Sequence, residues 1–191
     1  MPATLLPADL YRRAPWRNGL GVSREVARDE KQGHASWLVS LTTIEADCPF
    51  SDYRGHDRIL TPLGEGIALA VGGAPPVALP RFQPFAFSGD DAVACRLAAG
   101  PAAVINAMVA RDWGSQSVTM LQTIPARFFV AAPHAVLHAP GGATVTIAGA
   151  AITLAAGDSL RIDDDVAGTE LAITAAAGAV PLYLATFRPR P

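Results

Sequence analysis

Lysine is almost absent: Lys31 stands alone beside 14 arginines. Basic residues number 15 against 17 acidic ones, giving a net charge of −2. That leaves no basic surplus to neutralise phosphates, which argues against a nucleic-acid binder. Charged residues make up only 17% of the chain while half of it is hydrophobic, so a folded core is expected rather than disorder. No run of 18 apolar residues occurs, so no membrane-spanning helix is expected. The stretch from Met1 to Leu10 has no basic region followed by an apolar run. These absences point to a cytoplasmic chain with no membrane partner. Cysteine is scarce too. Cys48 and Cys95 match no metal or redox spacing; a disulfide between them has no sequence support, and reduced thiols are expected.

Catalytic and metal signatures are equally thin. There is no Gly-x-Ser-x-Gly elbow, and Cys48 precedes Pro49 without an evident paired base. Gly64-Glu65-Gly66 reads as a hairpin rather than a phosphate cradle. No His-x-His pair occurs. His134 and His138 are four positions apart, and Pro133, Pro140 and Gly141 argue against a helix there. On a strand they share a face but lie roughly 13 Å apart, too far for one ion. His34 falls in a loop. Asp163-Asp164-Asp165 lacks the alternating oxygens of a calcium loop and reads as a solvated turn. The expectation is no catalytic residue, no metal and no cofactor.

What the chain does have is punctuation: 17 glycines and 16 prolines, more than a mostly helical protein tolerates. Short strand candidates lie between the breaks. In Trp37 to Ile44, alternation puts Leu38, Ser40, Thr42 and Ile44 on one face and Trp37, Val39, Leu41 and Thr43 on the other. Arg58 to Leu63, Ile67 to Val71, Phe85 to Ser88, Ala92 to Leu97 and Val104 to Ala110 follow. Ala126 to Ala132, Thr144 to Ala148, Ala151 to Leu154, Ser159 to Ile162, Glu170 to Thr174 and Leu182 to Phe187 continue the pattern. A short helix is expected near Leu6 to Arg12. Strands at this spacing predict an all-β sandwich or barrel. Gly89-Asp90 before one strand pair and Gly157-Asp158 before another suggest an internal repeat. So do Ala99-Gly100 and Ala177-Gly178. The boundary between copies falls near Gly114 to Ser117.

Several segments resemble the HutD/Ves family of bacterial proteins. Trp16-Arg17-Asn18-Gly19-Leu20-Gly21-Val22-Ser23-Arg24-Glu25 is similar to its opening motif, with Leu20 at a usual Gly and Ser23 at a usual Thr. Trp37 to Ser40 resembles its next strand. Pro49-Phe50-Ser51-Asp52-Tyr53-Arg54-Gly55-His56-Asp57-Arg58 resembles its next motif, with Cys48 replacing Gly. Phe85 to Asp90 and Ile105 to Arg111 resemble the last two. The resemblance implies a bicupin: two stacked cupin barrels (double-stranded β-helix jelly rolls) at residues 1–112 and 113–191. It also implies a cytoplasmic protein associated with histidine utilisation that binds a small metabolite. Enzymatic activity is not implied. A homodimer is left open.

The candidate pocket lies in the first barrel. Asn18, Arg24, Arg58 and Asn106 are its expected polar contacts, Trp16, Phe50 and Met108 its walls, and Ser51 a further candidate. A guanidinium holds a carboxylate through two parallel hydrogen bonds, which suits a small acid. Arg24 has a competing reading as a surface pair with Glu25. Arg58 sits where metal-binding cupins carry the second histidine of their pair. Being always protonated, it cannot ligate metal. It could bind an anion or form a buried ion pair, with Glu25 as the candidate partner. Asn106, among apolar neighbours and on one strand face with Met108, must bond backbone, side chain, water or ligand. Three readings follow: a metal-free binder of a small carboxylate, a cupin enzyme using Glu25 with Arg58 as anchor, or an interaction protein with a vestigial cavity.

Overall fold

A computed structural model describes residues 3–31, 33–122, 125–147, 149–163, 170–175 and 180–191. Strand follows strand, separated by the Gly, Pro and Asp breaks. They run β1 (Ala3–Leu6), β2 (Arg12–Pro15), β3 (Val22–Lys31), β4 (His34–Ile44) and β5 (Cys48–Pro49). Next come β6 (His56–Pro62), β7 (Ile67–Val71), β8 (Val77–Leu79), β9 (Phe85–Ser88), β10 (Val93–Leu97) and β11 (Ala102–Ala110). The later strands are β12 (Gly114–Leu121), β13 (Ala126–Phe129), β14 (His134–His138), β15 (Ala143–Ile147), β16 (Ala150–Leu154), β17 (Ser159–Ile162), β18 (Glu170–Ala175) and β19 (Leu182–Pro189). No α-helix occurs among the described residues. The helix expected near Leu6 to Arg12 is only a 3-10 turn, Ala8–Leu10, whose start at Pro7 lacks a side-chain cap. Among the described residues, no helix is long and apolar enough to cross a membrane.

Both units are jelly rolls with the same connectivity. From β4 to β11, the first, eighth, third and sixth strands pair in one sheet (β4-β11-β6-β9) and the second, seventh, fourth and fifth in the other (β5-β10-β7-β8). From β12 to β19 the same order recurs as β12-β19-β14-β17 and β13-β18-β15-β16. The repeat expected from the breaks is therefore present, but the two Gly-Asp turns are not equivalent. Gly89-Asp90 precedes the seventh strand of its unit, whereas Gly157-Asp158 precedes the sixth of its own. Ala148, Asp164, Asp165 and the Ala177-Gly178 break lie outside the described residues. Asp163 is not a merely solvated turn residue: it accepts from Arg161 Nε at 3.0 Å and lies 3.2 Å from His134 Nδ1.

The division of the chain differs from the 112/113 boundary. One unit is Arg12–Ser115 with Arg190–Pro191, the other Met1–Tyr11 with Gln116–Pro189. The opening segment joins the later unit because β1 pairs with β17, Ala3 opposite Ile162 through Leu6 opposite Ser159. Tyr11 reinforces this, its hydroxyl lying 2.9 Å from the Gly157 carbonyl and 2.7 Å from Ser159 Oγ. The core of the Arg12–Ser115 unit lies between its two sheets. It includes Ile44, Leu60, Leu69, Leu79, Phe87, Cys95 and Val104, with Trp16 and Phe50 packed at its margin.

Candidate functional site

The site is built on the alternation of three neighbouring strands. On β4, Ser40, Thr42 and Ile44 share one face; on β11, Val104, Asn106 and Met108; on β6, Arg58 and Leu60. The register sets these side by side. Asn106 is opposite Ser40 on one flank and Leu60 on the other, and Met108 is opposite Leu38 and Arg58. The rows line a cavity of about 40 Å³, closed by Trp16, Ser23, Phe50, Ser51 and Tyr53. That is space for roughly three waters, or the head group of a small acid. A wider opening of about 290 Å³ shares Trp16, Ser23, Ser40, Tyr53 and Met108 with it, and is also lined by Glu25, Arg28, His34 and His56.

Arg58 dominates the electrostatics. It is only 6% exposed, yet no carboxylate among the described residues ion-pairs with it. Its Nη1 donates to the Ser51 carbonyl at 3.2 Å, and its Nε is buried without a hydrogen-bond partner. Its guanidinium carbon lies 4.9 Å from the Phe87 ring centre, 5.1 Å from Tyr53 and 5.5 Å from Phe50. Burial pushes its pKa well below the ordinary arginine value, to about 10, with Tyr53 acting in the opposite sense. At neutral pH the group remains a desolvated cation, a costly state that an anion would relieve. Glu25, the partner considered for it, is held instead by Arg12 and Arg28.

Asn106 is 7% exposed, and its Oδ1 is buried without a partner. Trp16 donates from Nε1 to Ser23 Oγ at 2.9 Å, and Ser23 is joined to Thr42 Oγ1 at 2.7 Å. This relay fixes the indole as a wall. Gly21 allows the close approach, since a Cβ there would stand 2.9 Å from the Trp16 ring. Leu20 meets no strain at the usual Gly position: its φ is not positive and it is 58% exposed.

Of the residues expected at the site, Trp16, Phe50, Ser51, Arg58, Asn106 and Met108 converge on the cavity, while Asn18 and Arg24 do not line it. Asn18 is a loop staple. Its Nδ2 donates to the Pro49 carbonyl at 3.0 Å, its Oδ1 accepts from Leu20 N at 3.1 Å, and its backbone N–H meets Ser51 Oγ at 3.3 Å. Arg24 falls on the opposite face of β3 from Ser23 and Glu25, and the strand period turns it away to an exposed position. Ser23, Ser40, Thr42 and Tyr53 are additional lining residues. The face assignment of Trp37 to Ile44 already carried Ser40 and Thr42, and Tyr53 sat inside the motif ending at Arg58.

Among the described residues, no three His, Cys, Asp or Glu side chains gather in a metal-binding group. His134 and His138 occupy the two ends of β14. His138 Nδ1 lies 3.0 Å from Ser159 Oγ, and His134 faces Asp163.

The family model HutD matches residues 8–180. An uncharacterised 21.2 kDa protein in the hutC 3′ region of Pseudomonas putida is 42% identical over 99 residues, covering 50% of this chain and 52% of that one. The chain thus spans about half the length of that curated relative. The solved structure of HutD from Pseudomonas fluorescens SBW25, in a formate condition, is 29% identical with a TM-score of 0.83. The match covers 99% of this chain and 100% of that one. A cupin 2 conserved barrel domain protein from Leptotrichia buccalis shares the fold alone, at 11% identity and a TM-score of 0.56, covering 87% and 88% of the two chains.

Proposed function

The chain belongs to the HutD family, and from that premise we propose that its Arg12–Ser115 jelly roll binds a small carboxylate metabolite through Arg58. The observation that carries this reading is the buried guanidinium, which has no carboxylate partner among the described residues. The small cavity takes the carboxylate, against Arg58, Ser40 and Asn106. The remainder of the acid lies in the opening beside Glu25, Arg28, His34 and His56. An apolar wall with few convergent polar groups is the usual form of such a site. The names of the two Pseudomonas relatives connect those proteins with histidine utilisation. For this chain, acids of histidine degradation are the ligands proposed: urocanate, formiminoglutamate and formylglutamate. The role is that of a binder moderating the pathway, without metal or cofactor.

Calorimetry with the three acids tests the reading beside an Arg58→Ala variant. One acid is expected to bind the wild type, and the variant to bind it about ten- to a hundredfold more weakly, the loss of one charge-assisted contact. Unchanged affinity in a folded variant removes Arg58 from the site. Failure of all three acids favours the interaction-protein reading.

A further inference from the structure

Cys48 and Cys95 stand directly opposite each other in the β5–β10 ladder, as do Pro49 and Ala94. Two residues along from Cys48, Phe50 N donates to Val93 O at 2.9 Å. Directly opposed residues in an antiparallel ladder alternate between bonded and non-bonded pairs, so Cys48 and Cys95 form a bonded pair. Such pairs have Cα atoms about 5.5 Å apart, inside the Cα range of disulfides. Their Cβ atoms stand wider than in non-bonded pairs, so closure draws β5 toward β10 and leaves the bond strained and easily reduced. Opposed side chains project to the same face, and both cysteines pack in the same core. Both are free thiols.

We propose that Cys48 and Cys95 are a redox-labile dithiol that closes to a cross-strand disulfide when it meets a low-molecular-weight disulfide, stapling β5 onto β10. β5 is only two residues long and occupies the edge of its sheet. It leads directly into the wall segment carrying Phe50 and the Ser51 carbonyl bonded to Arg58. The staple would hold that wall in place. The inference is independent of which ligand the cavity takes.

Cys48 is half-buried and Cys95 buried, so the reagent enters at Cys48. The Cys48 thiolate attacks the reagent's S–S bond, forming a mixed disulfide and releasing one thiolate. Cys95 loses its proton to solvent and attacks the Cys48 sulfur, releasing the second thiolate. The protein loses two electrons and two protons, and the reagent leaves as two thiols. Burial and the Asp47 charge push both thiols up, Cys95 to about 12, so closure is slow at neutral pH and faster in mild alkali.

Native protein incubated with oxidised glutathione is followed by intact mass and by a non-reducing tryptic map. The expected product has lost two hydrogens and carries peptide 32–54 joined to peptide 82–96. Cys95→Ser is expected to stop at a glutathione adduct on Cys48, and Cys48→Ser to form none. Amide exchange at Phe50 is expected to slow roughly tenfold on oxidation. A wild-type adduct at Cys48 that never resolves, or a disulfide forming only in denaturant, overturns the proposal. Should a serine variant fail to fold, the wild-type peptide map decides alone.

Discussion

The Arg58 guanidinium donates to the Ser51 carbonyl at 3.2 Å and meets no carboxylate among the described residues. A carbonyl dipole offsets only part of the cost of a buried charge. The Ser51 carbonyl alone therefore leaves the buried guanidinium charge only partly compensated.

Arg58→Met tests whether the cation serves binding or folding. Methionine keeps much of the apolar volume against Phe50, Tyr53 and Phe87 and removes the desolvated charge. The ligand-free variant is expected to stay within about 1 kcal/mol of the wild type or to exceed it, while acid binding weakens about ten- to a hundredfold, as for Arg58→Ala. Chemical denaturation without ligand provides the measurement. A loss of several kcal/mol would make the guanidinium a structural element.

Arg24 and Asn18 separate contact from support. Arg24→Ala is expected to leave acid affinity unchanged, because its side chain lies outside the cavity. Asn18→Ala removes the bonds to Pro49 and Leu20 and is expected to cost roughly 1 kcal/mol of stability. Affinity in that variant should fall only slightly. A tenfold loss of affinity in Arg24→Ala would restore that residue to the site.

Asp90 ties the loop before Arg58 to the rest of its sheet. Its Oδ1 accepts from Gly55 N at 2.8 Å, and its Oδ2 pairs with Arg111. The Gly55 N–H, then Arg111, hold its pKa below the ordinary carboxylate value of 3.8. The unfolded chain thus takes up this proton at a higher pH than the folded one. Asp90 contributes stability above pH 3.8, and the contribution fades as the pH falls through the folded value. Asp90→Asn is expected to be less stable than wild type at neutral pH, with the gap narrowing in acid. Paired denaturation curves across that range check it; a gap constant with pH would refute it.

Much of this arrangement can be read from alternation and breaks. Ser40 with Thr42 and Asn106 with Met108 follow from the period of two, and their strands from the glycines and prolines around them. Arg24 shows where motif adjacency misleads: it neighbours Ser23 in sequence, but the same period sends it to the other face. The pairing of β1 with β17 joins residues about 155 positions apart, which no local pattern encodes. Val77–Leu79 and Gly114–Leu121 carry too little contrast to stand out as strands. Cys48 opposite Cys95 is likewise a matter of register, invisible in their spacing.

Two tyrosines in the later unit give opposite expectations from the same substitution. Tyr11 is buried, and its hydroxyl bonds the Gly157 carbonyl and Ser159 Oγ, which in turn meets His138. Tyr11→Phe strips a bonded hydroxyl and leaves these groups short of a partner, an expected cost of about 1–3 kcal/mol. Tyr183 is fully buried and its hydroxyl has no partner. Burial alone pushes its pKa upward. Tyr183→Phe removes an unpaid desolvation cost and is expected to be neutral or stabilising by up to about 1 kcal/mol. Urea denaturation of both variants, with slopes compared to confirm a common unfolded state, provides the check. Equal effects would mean that the Tyr11 hydroxyl does not anchor the opening segment to Gly157 and Ser159.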